Sequence, residues 1–103
     1  MIIRTWKAIT TEVKEPEYKA LVESIVLPYF KTCMGYQGCK FGRRNQDSEG
    51  KVEILVMTFW ESMEAVTAFS GDPGAHAYLP EEIAKTLESY DSTSEHFETF
   101  IEQ

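Results

Sequence analysis

Residues 52–60 run VEILVMTFW, a string of strong strand formers whose two alternating faces are both largely apolar. Val52, Ile54, Val56 and Trp60 fall on one side, Leu55, Met57 and Phe59 on the other. An antiparallel strand with one solvated face alternates more cleanly between polar and apolar residues. This strand is therefore expected to be covered on both sides. Residues 2–9 form a second alternating run, with Ile3, Thr5, Lys7 and Ile9 opposite Ile2, Arg4, Trp6 and Ala8. From residue 16 to 33 the period changes: Tyr18, Leu21, Val22, Ile25, Val26, Tyr29, Phe30 and Cys33 recur at three- and four-residue spacing, which predicts a helix with one broad apolar stripe. Pro16 suits a first turn. Pro28 has no N–H for the carbonyl of Ser24, so a kink or break is expected across residues 24–28.

Residues 34–38 read as a turn, 39–44 as a short strand, and the polar run NQDSEG as the hairpin joining it to the central strand. Ser62 is placed to cap a helix whose small apolar face is Met63, Ala65, Val66 and Phe69, ended by Gly71, Asp72 and Pro73. Pro80 can open another helix, with Glu81 and Glu82 at its positive end and Ile83, Ala84 and Leu87 as its apolar face. A closing strand is expected over residues 96–101, with Phe97 on one face and His96 and Phe100 on the other. The order is β-α-β-β-α-β, the ferredoxin-like arrangement of an α+β fold, with a four-stranded antiparallel sheet and helices on one face. Those helices leave the second side of residues 52–60 uncovered, and a second copy of the sheet is the simplest cover. Burying roughly 600 Å² of apolar surface in this way is worth about 15 kcal/mol before association costs.

With 103 residues the chain is expected to form a single domain, 1–103. A formal charge of -7 weighs against nucleic acid or an anionic membrane as partner. No apolar run reaches the ~20 residues needed to span a bilayer. MIIRTWKAI lacks the features of a signal peptide, so the expected compartment is the cytoplasm. Cys33 and Cys39 have no second pair to complete a zinc site and are read as ordinary thiols. The chain has no G-x-G-x-x-G, phosphate loop, H-E-x-x-H or G-x-S-x-G.

Four stretches together resemble the antibiotic-biosynthesis-monooxygenase-like family of dimeric α+β barrels. They are the opening MIIRTW, VLPYFKTCMGYQG, EILVMTFWESMEAVTAF and the closing HFETF. The resemblance covers nearly the whole chain. It implies a homodimer, with a pocket between sheet and helices in each subunit and a barrel formed across the pair. Members include cofactor-independent monooxygenases of phenolic or quinol-like substrates, haem-degrading enzymes, and proteins of unassigned function. An oxygenase without cofactor needs an apolar cavity, a base to remove a phenolic proton, and a hydrogen-bond donor to hold the anion.

Trp60, standing before ESMEA, resembles the family's pocket tryptophan; the alternative is a core residue capping the sheet. His76, in an Ala75-His76 pair, resembles the axial ligand of haem-degrading members. It equally suits a phenolic base or a packing residue. The stretch before it, SGDPG, is shorter than in those enzymes, and residues 1–15 contain no counterpart of their first-strand Asn, so haem ranks behind a site with no cofactor. Trp6 could line the same pocket or the dimer barrel, and Phe59 is a further candidate for the substrate site. Tyr78 is placed near His76. Arg4 could orient an anionic substrate or make a rim salt bridge, and His96 reads as a half-buried partner of a carboxylate. The expected function is thus a cofactor-independent monooxygenase with His76 and Trp60 as catalytic residues. Trp6, Tyr78, Arg4 and Phe59 would bind an aromatic, phenolic or quinol-like molecule. The alternatives are a non-catalytic dimeric binding or stress-related module, and a haem-binding or haem-degrading protein.

Overall fold

A computed structural model of the chain describes residues 1–46, 49–71 and 77–103. At its centre, β1 (Ile2–Thr11) and β3 (Lys51–Trp60) pair antiparallel along their whole length, from Ile2 opposite Trp60 to Thr11 opposite Lys51. β2 (Tyr36–Gln46) lies on the far side of β3, with a bulge between Tyr36 and Gly38. The other edge of β1 is met by two short pieces, β5 (Glu95–Glu98) against residues 2–5 and β4 (Ser89–Tyr90) against Ala8 and Ile9. The four strand positions, β2-β3-β1-β4/β5, are those of the ferredoxin-like sheet.

The expected closing strand is therefore split and displaced. Phe100 and Ile101 lie beyond it, 89% and 76% exposed. Ser89 and Tyr90 supply the second piece instead. Between the pieces stands DSTS, a run of turn-favouring residues that interrupts the edge. The second strand is longer than its apolar pattern predicts, because pairing with β3 continues to Gln46 opposite Lys51.

Burial follows the period of two. Arg4, Trp6 and Ala8 on β1 and Ile54, Val56 and Thr58 on β3 are buried against the helices, and the register places them across from one another. Ile3, Ile9, Leu55, Met57 and Phe59 point to the opposite side and are only half-buried. On the helical side, α1 (Glu15–Leu21) has Pro16 in its first turn. A π-helical turn (Val22–Val26) follows, then α2 (Leu27–Phe30). Here the expected break takes a definite form. The Leu27 N–H reaches back five residues to the Val22 carbonyl, and the widened turn carries the chain past Pro28, which opens α2. Tyr18, Val22, Val26 and Phe30 remain on one stripe and all are buried.

Ser62 caps α3 (Met63–Ser70), its Oγ accepting the Ala65 N–H at 3.2 Å. Val66 is the buried residue of that helix, while Met63, expected on the apolar face, is 39% exposed. After Pro80 comes the short α4 (Glu81–Ala84), which buries Ile83 against the sheet. The chain crosses the start of α3 at Gly35, whose carbonyl accepts the Glu61 N–H at 2.9 Å. Gly35 has φ +84°, and a Cβ there would stand 2.5 Å from the Cβ of Ala65. A left-handed backbone and a close approach both require glycine at this position. Among the described residues no helix is long and apolar enough to cross a membrane.

Candidate functional site

The layer between sheet and helices is lined by aromatic rings. Trp6 projects from β1 into this layer, and its Nε1–H donates to the Asp91 carbonyl at 2.6 Å. The ring is thereby fixed on the helical side rather than the open face. Tyr78 comes from the irregular segment before α4 and stacks on Tyr29 with centroids 4.9 Å apart. Phe30 and Phe69 complete the wall. Two small gaps remain, each about 40 Å³. Trp6, Phe30, Val56 and Tyr78 line both. Each has room for water or a single hydroxyl, and neither admits an aromatic ring as it stands.

One gap has a polar end. Arg4, Thr58 and Ser94 line it beside Phe69. Arg4 is only 5% exposed, so it is a buried residue and not the rim residue of one sequence alternative. Its guanidinium lies over the Phe69 ring at 5.4 Å, and its Nη1 donates to His96 Nε2 at 2.8 Å. Removal from water lowers the Arg4 pKa to about 10, which leaves it a cation at neutral pH. His96 also lies below its ordinary value of 6.5, first because burial penalises the imidazolium and second because Arg4 is adjacent. The structure thus gives His96 a guanidinium neighbour where sequence anticipated a carboxylate. Pairing across β1 and β5 is what brings residues 4 and 96 opposite one another. The sequence carries only a faint sign of this, the two residues' parity on two expected strands.

Trp60 lies apart from the gap. It is fully buried with Ile2 and Val66, stacked on Phe69 at 4.7 Å and edge-on to Tyr36 and Phe30. Its Nε1–H donates to Thr58 Oγ1 at 2.8 Å. That N–H is thus engaged within the protein, and the geometry is that of a packed residue at the end of the sheet. Phe59 sits on the opposite face, as its register with Ile3 requires, and cannot share a cavity with Arg4 and Trp6. His76 lies outside the described residues. Arg4, Trp6 and Tyr78 are therefore brought together; Trp60 adjoins them through Phe69 and Thr58, and Phe59 is separated by the sheet.

A wider groove of about 360 Å³ runs between α1 and β2, with Tyr18, Val22, Leu27, Phe41 and Ile54 on its floor. Glu15 and Arg43 form an ion pair at its rim, 2.5 Å apart. None of the sequence candidates among the described residues lines it. Among the described residues no group of three or more His, Cys, Asp or Glu could hold a metal ion.

A β-α-β-β-α-β sheet with an aromatic layer under its helices and a half-buried second face is a ferredoxin-like α+β fold. It is the antibiotic-biosynthesis-monooxygenase-like fold, as comparison with solved structures shows. An antibiotic-biosynthesis-monooxygenase candidate from Bacillus cereus matches with a TM-score of 0.62 at 17% identity, over 99% of this chain and 93% of that one. MhuD, solved as a variant with two manganese protoporphyrin IX molecules per active site, matches at 0.61 and 18% identity, over 100% and 98%. SnoaB, a cofactor-independent oxygenase from Streptomyces nogalater, matches at 0.58 and 13% identity, over 98% and 95%. No family model matches the sequence, and no curated protein does.

Proposed function

We propose that the chain is a homodimeric, cofactor-independent monooxygenase acting on an aromatic, phenolic or quinol-like small molecule. The observation that carries this reading is the buried cation Arg4 at the end of an aromatic-lined gap, beside a neutral imidazole. A phenolic substrate has an apolar body to stack between rings and one oxygen that becomes anionic. The resulting carbanion-like species reduces oxygen directly: a ring CH2 and O2 become C=O and H2O, with no external electron donor. The chain's contribution is to exclude water, orient the ring and stabilise the oxyanion. SnoaB, which shares the fold, is a cofactor-independent oxygenase and supports the reaction class.

The half-buried side of the sheet, with Ile3, Ile9, Leu55, Met57 and Phe59, supports the dimer, since a second copy would remove it from water. Oxygen-electrode measurements with anthrones, naphthols and quinols test the activity. Saturable uptake without added flavin, metal or haem is expected, and no uptake with any of them would refute it. The likeness to MhuD motivates hemin titration as a parallel arm. A saturable Soret shift at one haem per subunit, lost in His76→Ala, would put haem chemistry in place of the proposal.

A further inference from the structure

The groove between α1 and β2, about 360 Å³, falls at the lower end of the ~300–1,000 Å³ usual for small-molecule sites. Phe41 from β2 and Ile54 from β3 reach it because the register puts them on the helical face, Phe41 opposite Val56 and Ile54 opposite Arg43. Val22 and Leu27, joined by the five-residue bond of the π turn, line it from the helices. Tyr18 also lines it, with only 5% of its surface accessible. Among the described residues nothing hydrogen-bonds the Tyr18 hydroxyl, and that oxygen is not sealed from solvent. Burial pushes the phenol above its ordinary value, so at neutral pH it keeps its proton and presents a donor.

An apolar molecule settling in the groove strips water from that hydroxyl, which costs as much as a lost hydrogen bond unless the molecule brings an acceptor. The charges around the groove argue against an anion as that acceptor. Arg43 is already held by Glu15 and Asn45, and Lys19 is offset by Glu23 one turn along α1. The four charged residues are two of each sign, which leaves no net charge to attract an ion. We propose that this groove is a ligand site of its own, taking a neutral, apolar ring compound that bears a carbonyl, with the Tyr18 hydroxyl donating to the carbonyl oxygen. No covalent step is involved. The groove is not the space beside Arg4, but Tyr18, Val22 and Phe41 line both it and the inner gap next to Trp6. A ring bound in the groove thus lies one side chain away from the aromatic layer.

1-Tetralone, a neutral bicyclic ketone, and tetralin, the corresponding hydrocarbon, are suitable probes. The wild-type protein is expected to bind 1-tetralone saturably. Tyr18→Phe keeps the ring and removes only the hydroxyl, so it should weaken 1-tetralone about fivefold and leave tetralin no weaker. Leu27 lines the groove and neither inner gap, and Leu27→Glu should weaken both probes about tenfold or more. No saturable binding by the wild type would overturn the proposal, as would unchanged 1-tetralone affinity in either folded variant. Binding by the Leu55→Asp chain but not by the wild type would give the groove to a second copy, and also overturns it. Should a variant not fold, nuclear Overhauser contacts in the wild-type complex decide. Contacts from 1-tetralone to the Leu27 methyls are required, and contacts to Tyr78 in their place would put the ligand in the inner gap and refute the site. None of these readouts depends on oxygen uptake, so the groove is tested separately from the proposed activity.

Discussion

Replacing Trp60 by Phe separates a packing role from a ligand-contacting one. The indole is fully buried, stacks on Phe69 and is met edge-on by Phe30 and Tyr36. Its N–H is spent on Thr58, a buried acceptor. Phe keeps most of the stacking surface but loses that hydrogen bond, a net cost of about 1 kcal/mol. The smaller ring leaves a cavity in a site closed on all sides, and lost contact plus cavity add about 1–2 kcal/mol. The total, about 2–3 kcal/mol, is a large share of the ~5–15 kcal/mol that holds a domain folded. It should lower Tm by about 10–20 °C in a chain of this size. Urea unfolding at fixed protein concentration measures the loss directly, with Trp6 left as the single tryptophan reporter. A loss below about 0.5 kcal/mol, together with weaker binding of aromatic ligands, would refute the packing assignment.

Leu55→Asp places a charge at the centre of the half-buried sheet face and should convert a dimer into monomer, as light scattering during gel filtration will show; an unchanged dimer would mean the second copy sits elsewhere. Gly35→Ala should cost more than about 1 kcal/mol, because it adds left-handed strain to a 2.5 Å approach to Ala65; Ala65→Gly in the same chain should recover the steric part, and denaturation of the single and double variants measures both. His96 has its folded pKa below its ordinary 6.5, so the unfolded chain takes up the proton first as pH falls. Its contribution to stability is therefore present above pH 6.5 and lost as pH drops from there through the lowered folded value. In urea titrations over that window, His96→Gln should show a shallower loss than wild type, and identical slopes would contradict the shift.

Periodicity revealed the sheet because burial on β1 and β3 follows the alternation of their own residues. Pro28 announced the interruption of the long helix through its missing donor, although the π turn that accommodates it depends on how the apolar stripe meets the sheet. Ser62 was legible as a cap from its position after the strand. The split closing edge was not, because its two pieces are selected by the free edge of β1 and not by their own weak pattern. The side of the sheet taken by Trp6 also needed the structure, since both faces of β1 carry apolar residues. The sequestered indole of Trp60 did leave a trace: Thr58 is two residues away on the same strand face, within reach of the N–H. Arg4 and His96 are 92 positions apart, and their contact depends on the offset of β5 along β1.

That same β1–β3 register links the assembly to the site. With Ile2 opposite Trp60, Arg4 and Trp6 face the helices while Ile3, Leu55, Met57 and Phe59 form the other side. A slip of β1 by one residue would exchange its two faces, placing the guanidinium among the residues of the proposed dimer face. The proposed dimer face and the proposed ligand layer are thus two sides of one backbone pairing, yet Arg4, Trp6 and Tyr78 all come from a single chain and lie on the helical side. Dimerisation should therefore support the site by stiffening the strands rather than by completing it. On this argument a folded Leu55→Asp monomer keeps oxygen uptake with the phenolic substrate, at weaker affinity. A folded monomer that binds the substrate without consuming oxygen would show instead that the second copy is required for the chemistry.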